Sequence, residues 1–241
     1  MKRRIHLLGL LLIALWPMSA QAQSGEGQSL WAMIRDGGWA MWPLGLCSLA
    51  MFFLIFHCAR ETARKRFIPQ AGLDDISVEL AARRLSKART LLETKGTVLS
   101  RAMLRALKKA QPELPDANKA KVETALVESL EAEEGGLAQW INYLNVIAAT
   151  APMIGLLGTV SGMIGAFQTM ESVGMGQPQA FAGSIGEALI TTATGLVIGI
   201  PAMVAYFVYK NRLASAMSET VQLATDLIDE LAGEAEPRAE V

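Results

Sequence analysis

The chain has 241 residues, 51% of them hydrophobic, and a formal net charge of −1. Near-neutrality and the lack of a phosphate-cradling motif exclude a nucleic-acid binder driven by charge. The charged residues are bunched at 60–134 and 210–240 rather than spread evenly, which is the pattern of a membrane protein.

Residues 1–22 read as a secretory signal peptide. Lys2, Arg3 and Arg4 precede a short apolar stretch ended by Pro17, and Ala20, Gln21 and Ala22 form a small-residue cleavage site. An uncleaved membrane helix is the alternative, but the stretch is short for a hydrocarbon core of ~30 Å. Residues 23–38 then form a periplasmic N-terminal segment. The first transmembrane helix is expected at 39–59, opening with Trp39 and Trp42 at an interface and turning Phe52, Phe53, Leu54 and Phe56 to lipid. Cys47 and Cys58 fall on this one helix, about 16 Å apart along its axis, too far for a disulfide. His57, near Arg60, reads as an interface residue rather than a proton relay.

Residues 60–139 are expected to form a cytoplasmic helical domain. Over 77–110, Leu, Ala and Met alternate with Arg and Lys at helical spacing, interrupted by Gly96; Pro112 and Pro115 then mark a turn. The next helix carries an apolar stripe of Val122, Leu126 and Leu130, with Glu128, Glu131, Glu133 and Glu134 toward its end. A basic and an acidic helix can pair as a hairpin, but solvated faces are the simpler expectation for these charges.

Transmembrane helices two and three are expected at 140–167 and 184–209, joined by a periplasmic loop, 168–183, that has no Lys or Arg. Gly155, Gly158, Gly162 and Gly165 follow i, i+3, i+7, i+10 spacing, a smooth stripe for close helix packing, and Gly195 and Gly199 repeat the theme. Pro152 and Pro201 are kink candidates. At about 42 Å, the second helix exceeds a ~30 Å core and must tilt or project. Basic residues follow the first span (Arg60, Arg64, Lys65, Arg66) and the third (Lys210, Arg212), which puts the N-terminus outside and the C-terminus inside. Residues 210–241 read as a cytoplasmic helix with Met217, Val221, Ala224 and Ile228 on one side, then a disordered tail past Leu231.

The third span also holds Glu187, Thr191, Thr192 and Thr194. An acidic group at mid-bilayer costs ~2.5 kcal/mol or more, so it faces protein or a wet cavity. A three-helix monomer has too little interior for these groups, and a homo-oligomer around a central axis supplies one. Spacing leaves two readings open for Glu187: a residue of that polar interior, or the second half of a Ser184–Glu187 capping box. Glu187, Thr191 and Thr194 share a helix face, whereas Thr192 is offset by about 100° from Thr191. Threonines in such helices also commonly bond the carbonyl four residues back. With no nucleophile–base pair, metal-ligand cluster or cofactor motif, an enzyme is not expected.

The stretch Ala151-Pro-Met-Ile-Gly-Leu-Leu-Gly-Thr-Val-Ser-Gly-Met-Ile164, through Phe167, resembles the second-helix signature of the ExbB/TolQ/MotA proton-channel family. Gly186-Glu-Ala-Leu-Ile-Thr-Thr-Ala-Thr-Gly-Leu196, followed by Ile200, Pro201 and Ala202, resembles its third-helix signature. The glutamate early in the third helix is similar to the ExbB/TolQ branch rather than to flagellar stators. The resemblance implies an all-α inner-membrane protein forming a pentameric ring around a dimer of a single-span ExbD/TolR-like partner. That partner's membrane aspartate would carry the protons, and the work would pass to a TonB-like or Tol-system protein. The family's functional positions fall on Thr159, Glu187 and Thr192, with Thr191 the alternative to Thr192. A passive oligomeric scaffold for a single-span partner and a flagellar-stator-like or stand-alone channel are the competing readings.

Overall fold

The computed structural model describes residues 37–69, 72–82, 84–108, 115–173 and 178–232. The expected signal peptide, most of the segment after it, and the tail beyond 232 lie outside these residues. Among the described residues every regular element is a helix: α1 (Met41–Glu61), α2 (Arg64–Phe67), α3 (Leu73–Ala81), α4 (Leu85–Lys95), α5 (Val98–Lys108), α6 (Pro115–Val173) and α7 (Pro178–Ala232). Three of them, α1, α6 and α7, are long and apolar enough to cross a membrane.

The frame of the molecule is the antiparallel pair α6 and α7, of 59 and 55 residues. At 1.5 Å per residue each runs more than about 80 Å, well over twice a hydrocarbon core. Both are unbroken. Where the sequence suggests a turn and a separate helix, α6 starts at Pro115, a residue suited to the first helical position because its missing N–H would have no partner there, and continues into the apolar span. The loop expected at 168–183 is shortened from both sides, since α6 reaches Val173 and α7 begins at Pro178.

Glycine sets the spacing of the pair. A Cβ on Gly195 would lie 2.7 Å from the Ala151 carbonyl oxygen, and one on Gly155 would lie 2.8 Å from that of Thr191. Gly162 is equally tight, with the Ser184 carbonyl oxygen 2.8 Å from its Cβ position, whereas Gly165 has only Ser184 Oγ, at 3.9 Å. Pro152 and Pro201 both sit inside helices that continue through them. The ring of Pro152 packs on Gly199, which also meets the Ala148 carbonyl, the group that would otherwise have bonded an N–H at position 152.

Helix α1 lies against both long helices, and α3, α4 and α5 gather around their distal parts, α3 on α7 and α5 on α6. Phe52, Phe53 and Phe56 are exposed, as expected for a lipid face, but Leu54 points inward at 6% exposure. The stripe Val122, Leu126 and Leu130 is buried. On α7 the buried line runs through Leu213, Ala216, Thr220 and Ala224, and Val221 is exposed. Thr220 takes its place because its hydroxyl donates to the Ala216 carbonyl at 2.7 Å and enters the core already satisfied.

The basic helix 77–110 divides into α3, α4 and α5. Gly96 makes the second break with a left-handed φ of 61°; the first, after Ala82, has no glycine or proline to announce it. The expectation of solvated charges fails at Glu133. Glu133 on α6 accepts hydrogen bonds from Arg101 of α5, at 3.2 Å from Nε and 2.5 Å from a terminal nitrogen, and Arg105 lies 3.4 Å away. The pair docks α5 on α6 because α5 is strongly amphipathic: Val98, Leu99, Ala102, Met103, Ala106 and Leu107 are all fully buried, and packing that face leaves both arginines along the seam. The Arg101 hydrogen bond holds the Glu133 carboxyl below the ordinary glutamate range, against the burial that would raise it.

Candidate functional site

The threonines of α6 and α7 meet where the glycines let the backbones touch. Thr159 follows Gly155 by one turn, and Thr192 lies across from both. The Thr159 and Thr192 hydroxyls are hydrogen-bonded to each other. Thr159 Oγ1 also lies 3.2 Å from the carbonyls of Gly155 and Ala188, and Thr192 Oγ1 lies 3.2 Å from the Gly155 carbonyl. Thr191 Oγ1 donates to the Ala188 carbonyl at 2.8 Å and approaches the Gly155 carbonyl at 3.4 Å.

Three hydroxyls thus crowd one carbonyl, that of Gly155, which has no side chain to hold them off. Each hydroxyl has one proton and two acceptor sites, so donor and acceptor roles within the group are interchangeable by rotation. Such a group presents either a proton or a lone pair to a neighbour without moving the backbone.

The two adjacent threonines have different surroundings. Thr191 is 1% exposed, and its Oγ1 lies 2.6 Å from the position a Cβ would take on Gly158. Thr192 is half-buried and opens to the surface of the protomer. Thr194 turns away from the cluster and donates to the Ile190 carbonyl.

Glu187 lies one turn from Thr191, half-buried on α7. Because α7 begins at Pro178, Ser184 is already inside the helix, and a capping box is not what places Glu187. Its carboxylate sits beside Gly38, in the turn that leads into α1. Trp39 of that turn donates its indole N–H to Ser161 Oγ on α6 at 3.2 Å. The sequence reading missed these neighbours; the Gly37–Gly38 pair before an apolar run was the one available signal. His57 stacks on Phe53, with ring centroids 5.9 Å apart, and tilts against Trp140 at 4.7 Å, part of an aromatic row that Tyr143 extends.

The sequence pattern of the MotA/TolQ/ExbB proton channel family matches residues 82–222, a range containing Thr159, Glu187, Thr191 and Thr192. The chain is 38% identical over 108 residues to the biopolymer transport protein ExbB of Xanthomonas campestris pv. campestris, covering 45% of this chain and 43% of that protein. It is 35% identical over 124 residues to the Tol-Pal system protein TolQ of Haemophilus influenzae, covering 52% and 53%. A putative ExbB-like biopolymer transport protein of Synechocystis is 30% identical over 195 residues, covering 79% of this chain and 74% of its own. The chain thus matches about half the length, or less, of the Xanthomonas and Haemophilus relatives. Its paired threonines, all of α6 and most of α7 fall inside the matched region, and the chain belongs to the MotA/TolQ/ExbB proton channel family, on the ExbB/TolQ branch.

Proposed function

We propose that this chain is an inner-membrane proton-channel subunit that, with a single-span ExbD/TolR-like partner, converts proton-motive force into mechanical work. The observation that carries the reading is the convergence of Thr159, Thr191 and Thr192 on the Gly155 carbonyl inside an apolar helix pair. Thr192, open to the protomer surface, would face a partner helix carrying an acidic residue, and Glu187, about 8 Å away along the helix axis and turned to a different face, would lie farther along the same path. Hydroxyls able to switch between donating and accepting serve both the charged and the neutral form of that acid. One elementary charge crossing 100 mV releases about 2.3 kcal/mol, enough to bias a rotation or a register shift, and on this reading no enzymatic step is needed.

The reading includes a ring, a pentamer by family resemblance, with the N-terminus periplasmic and the C-terminus cytoplasmic. Support comes from the surface: Met153, Leu157 and Val160 on α6 and Val197, Ile200 and Phe207 on α7 are exposed apolar groups that α1 leaves uncovered, suited to neighbouring copies or lipid. The work would be passed to a TonB-like or Tol-type protein. A second reading, a passive scaffold for the partner's anchor helix, is favoured by one fact: each threonine hydroxyl already has an acceptor within its own protomer.

Proton flux into liposomes separates them. Flux that needs both this chain and a partner with its membrane acid, and that falls in Glu187→Gln and Thr192→Val, supports the channel subunit. An intact complex that conducts no better than protein-free liposomes supports the scaffold, and flux from this chain alone supports a stand-alone channel.

A further inference from the structure

The turn before α1 reaches across the helix pair to Glu187. Gly38 has a φ of 61°, in the left-handed region. The turn is tied to α1, since Met41 N–H donates to the Gly38 carbonyl at 3.3 Å and Trp42 N–H to the Trp39 carbonyl at 3.2 Å. It is tied to α6 as well, through the Trp39–Ser161 hydrogen bond at 3.2 Å. Ala40, 1% exposed, wedges against Gly158, its Cβ 3.1 Å from the position a Cβ would take there. Against this fixed loop lies the Glu187 carboxylate. A Cβ on Gly38 would overlap Oε1 and stand 2.6 Å from Cδ.

We infer that Gly38, Trp39 and Ala40 form a collar that positions the Glu187 carboxylate and controls access to it from the end of the bundle where α1 begins. A glutamate has three side-chain torsions, and at the edge of an apolar span its carboxylate is drawn toward water. The collar occupies part of that route and holds the carboxylate on the α6–α7 pair, one turn from Thr191. Gly38 is needed on two counts: any other L residue strains the backbone at this φ, and its Cβ takes the volume the carboxylate now fills. Trp39 is 53% exposed, so its indole contributes an anchor more than a core filler. The functional meaning of the collar rests on the proton-pathway reading of Glu187 given above; the contact itself does not.

The test reads the carboxylate directly. The full chain in nanodiscs is treated with a water-soluble carbodiimide and an amine nucleophile, which together label carboxyls reachable from water, and modification of the peptide containing Glu187 is followed by mass spectrometry, with Glu187→Gln as background. Gly38→Ala and Trp39→Phe should label severalfold faster than wild type. Trp42→Phe, at a neighbouring side chain that is 84% exposed, should label at the wild-type rate. Equal rates in all four proteins, with unchanged helicity and elution volume, overturn the collar, as does an equal acceleration by Trp42→Phe. If Gly38→Ala does not fold, Trp39→Phe decides alone, because it keeps an aromatic ring at the surface while removing the N–H donor together with the pyrrole part of the indole. Collar-dependent labelling without partner-dependent flux leaves the collar standing and rejects the channel reading. Flux without collar-dependent labelling does the reverse.

Discussion

Thr159 and Thr192, 33 residues apart in sequence, share a hydrogen bond between their hydroxyls across the α6–α7 seam. Replacing either by valine keeps the volume and removes one member of a network with no spare donors. A typical hydrogen bond contributes about 1 kcal/mol, and if the Thr192 hydroxyl supplies that much to the moving proton, Thr192→Val should slow partner-dependent flux by roughly five- to tenfold. Elution volume in detergent should be unchanged. Flux at the wild-type rate would remove Thr192 from the pathway.

Thr191 supplies the contrast. Its side chain is enclosed by Gly155 and Gly158, so Thr191→Val should leave flux much closer to wild type while lowering thermal stability. If the two valine variants exchange these behaviours, the assignment between the adjacent threonines is reversed.

Gly195 and Gly165 should differ sharply. A Cβ on Gly195 meets the Ala151 backbone at 2.7 Å, whereas one on Gly165 finds its nearest atom at 3.9 Å. Overpacking against backbone costs about 1–3 kcal/mol, so Gly195→Ala should lower the detergent melting temperature by several degrees and Gly165→Ala should not. Equal melting temperatures would mean that the helix pair relaxes freely along its whole length.

The Arg101–Glu133 pair predicts a pH dependence. The Glu133 carboxyl lies below its ordinary range because of the Arg101 hydrogen bond. A carboxyl with a lowered folded pKa stabilises the fold fully above its unfolded pKa, and this contribution fades as pH falls toward the folded value. Glu133→Gln should therefore cost on the order of 1 kcal/mol near neutrality, and the difference from wild type should shrink under acid. Urea unfolding at two pH values measures it, because urea adds no salt to screen the pair; a gap that widens in acid contradicts the sign.

Phe67 is fully buried at the end of α2, a four-residue helix that packs on α5 and α7. Phe67→Ala should cost about 3–5 kcal/mol and loosen the distal cluster before the apolar spans. Proteolysis between 62 and 115 is the readout, and protection equal to wild type would show that α2 is not an anchor.

The apolar spans, the glycine spacing and the polar residues of α7 were legible in the sequence because each depends on one helix and its own periodicity. What depends on a second helix was not. Leu54 and Val221 were assigned by hydropathy to the wrong sides, since the buried sector is set by where neighbours lie. A self-satisfied Thr220 outcompetes a valine once the approach is narrow. Glu187 stands out in the sequence as an acid in an apolar span, yet its neighbour Gly38 lies 149 positions earlier by their numbers, and no local pattern links them. Glu133 was one acid among four until the buried face of α5 selected it.

Because α6 is unbroken from Pro115 to Val173, its tilt within the apolar layer and the position of its distal end are a single mechanical coordinate. The part from Pro115 to Thr159 is a lever about 65 Å long, so a change of only about 5° at the threonine seam would displace its tip by roughly 6 Å. That stroke is comparable to a helical turn. The Glu133 junction rides on this lever and carries α5 with it, so on the proposed reading a small event beside Thr159 would reach the far end as a movement of about a helical turn.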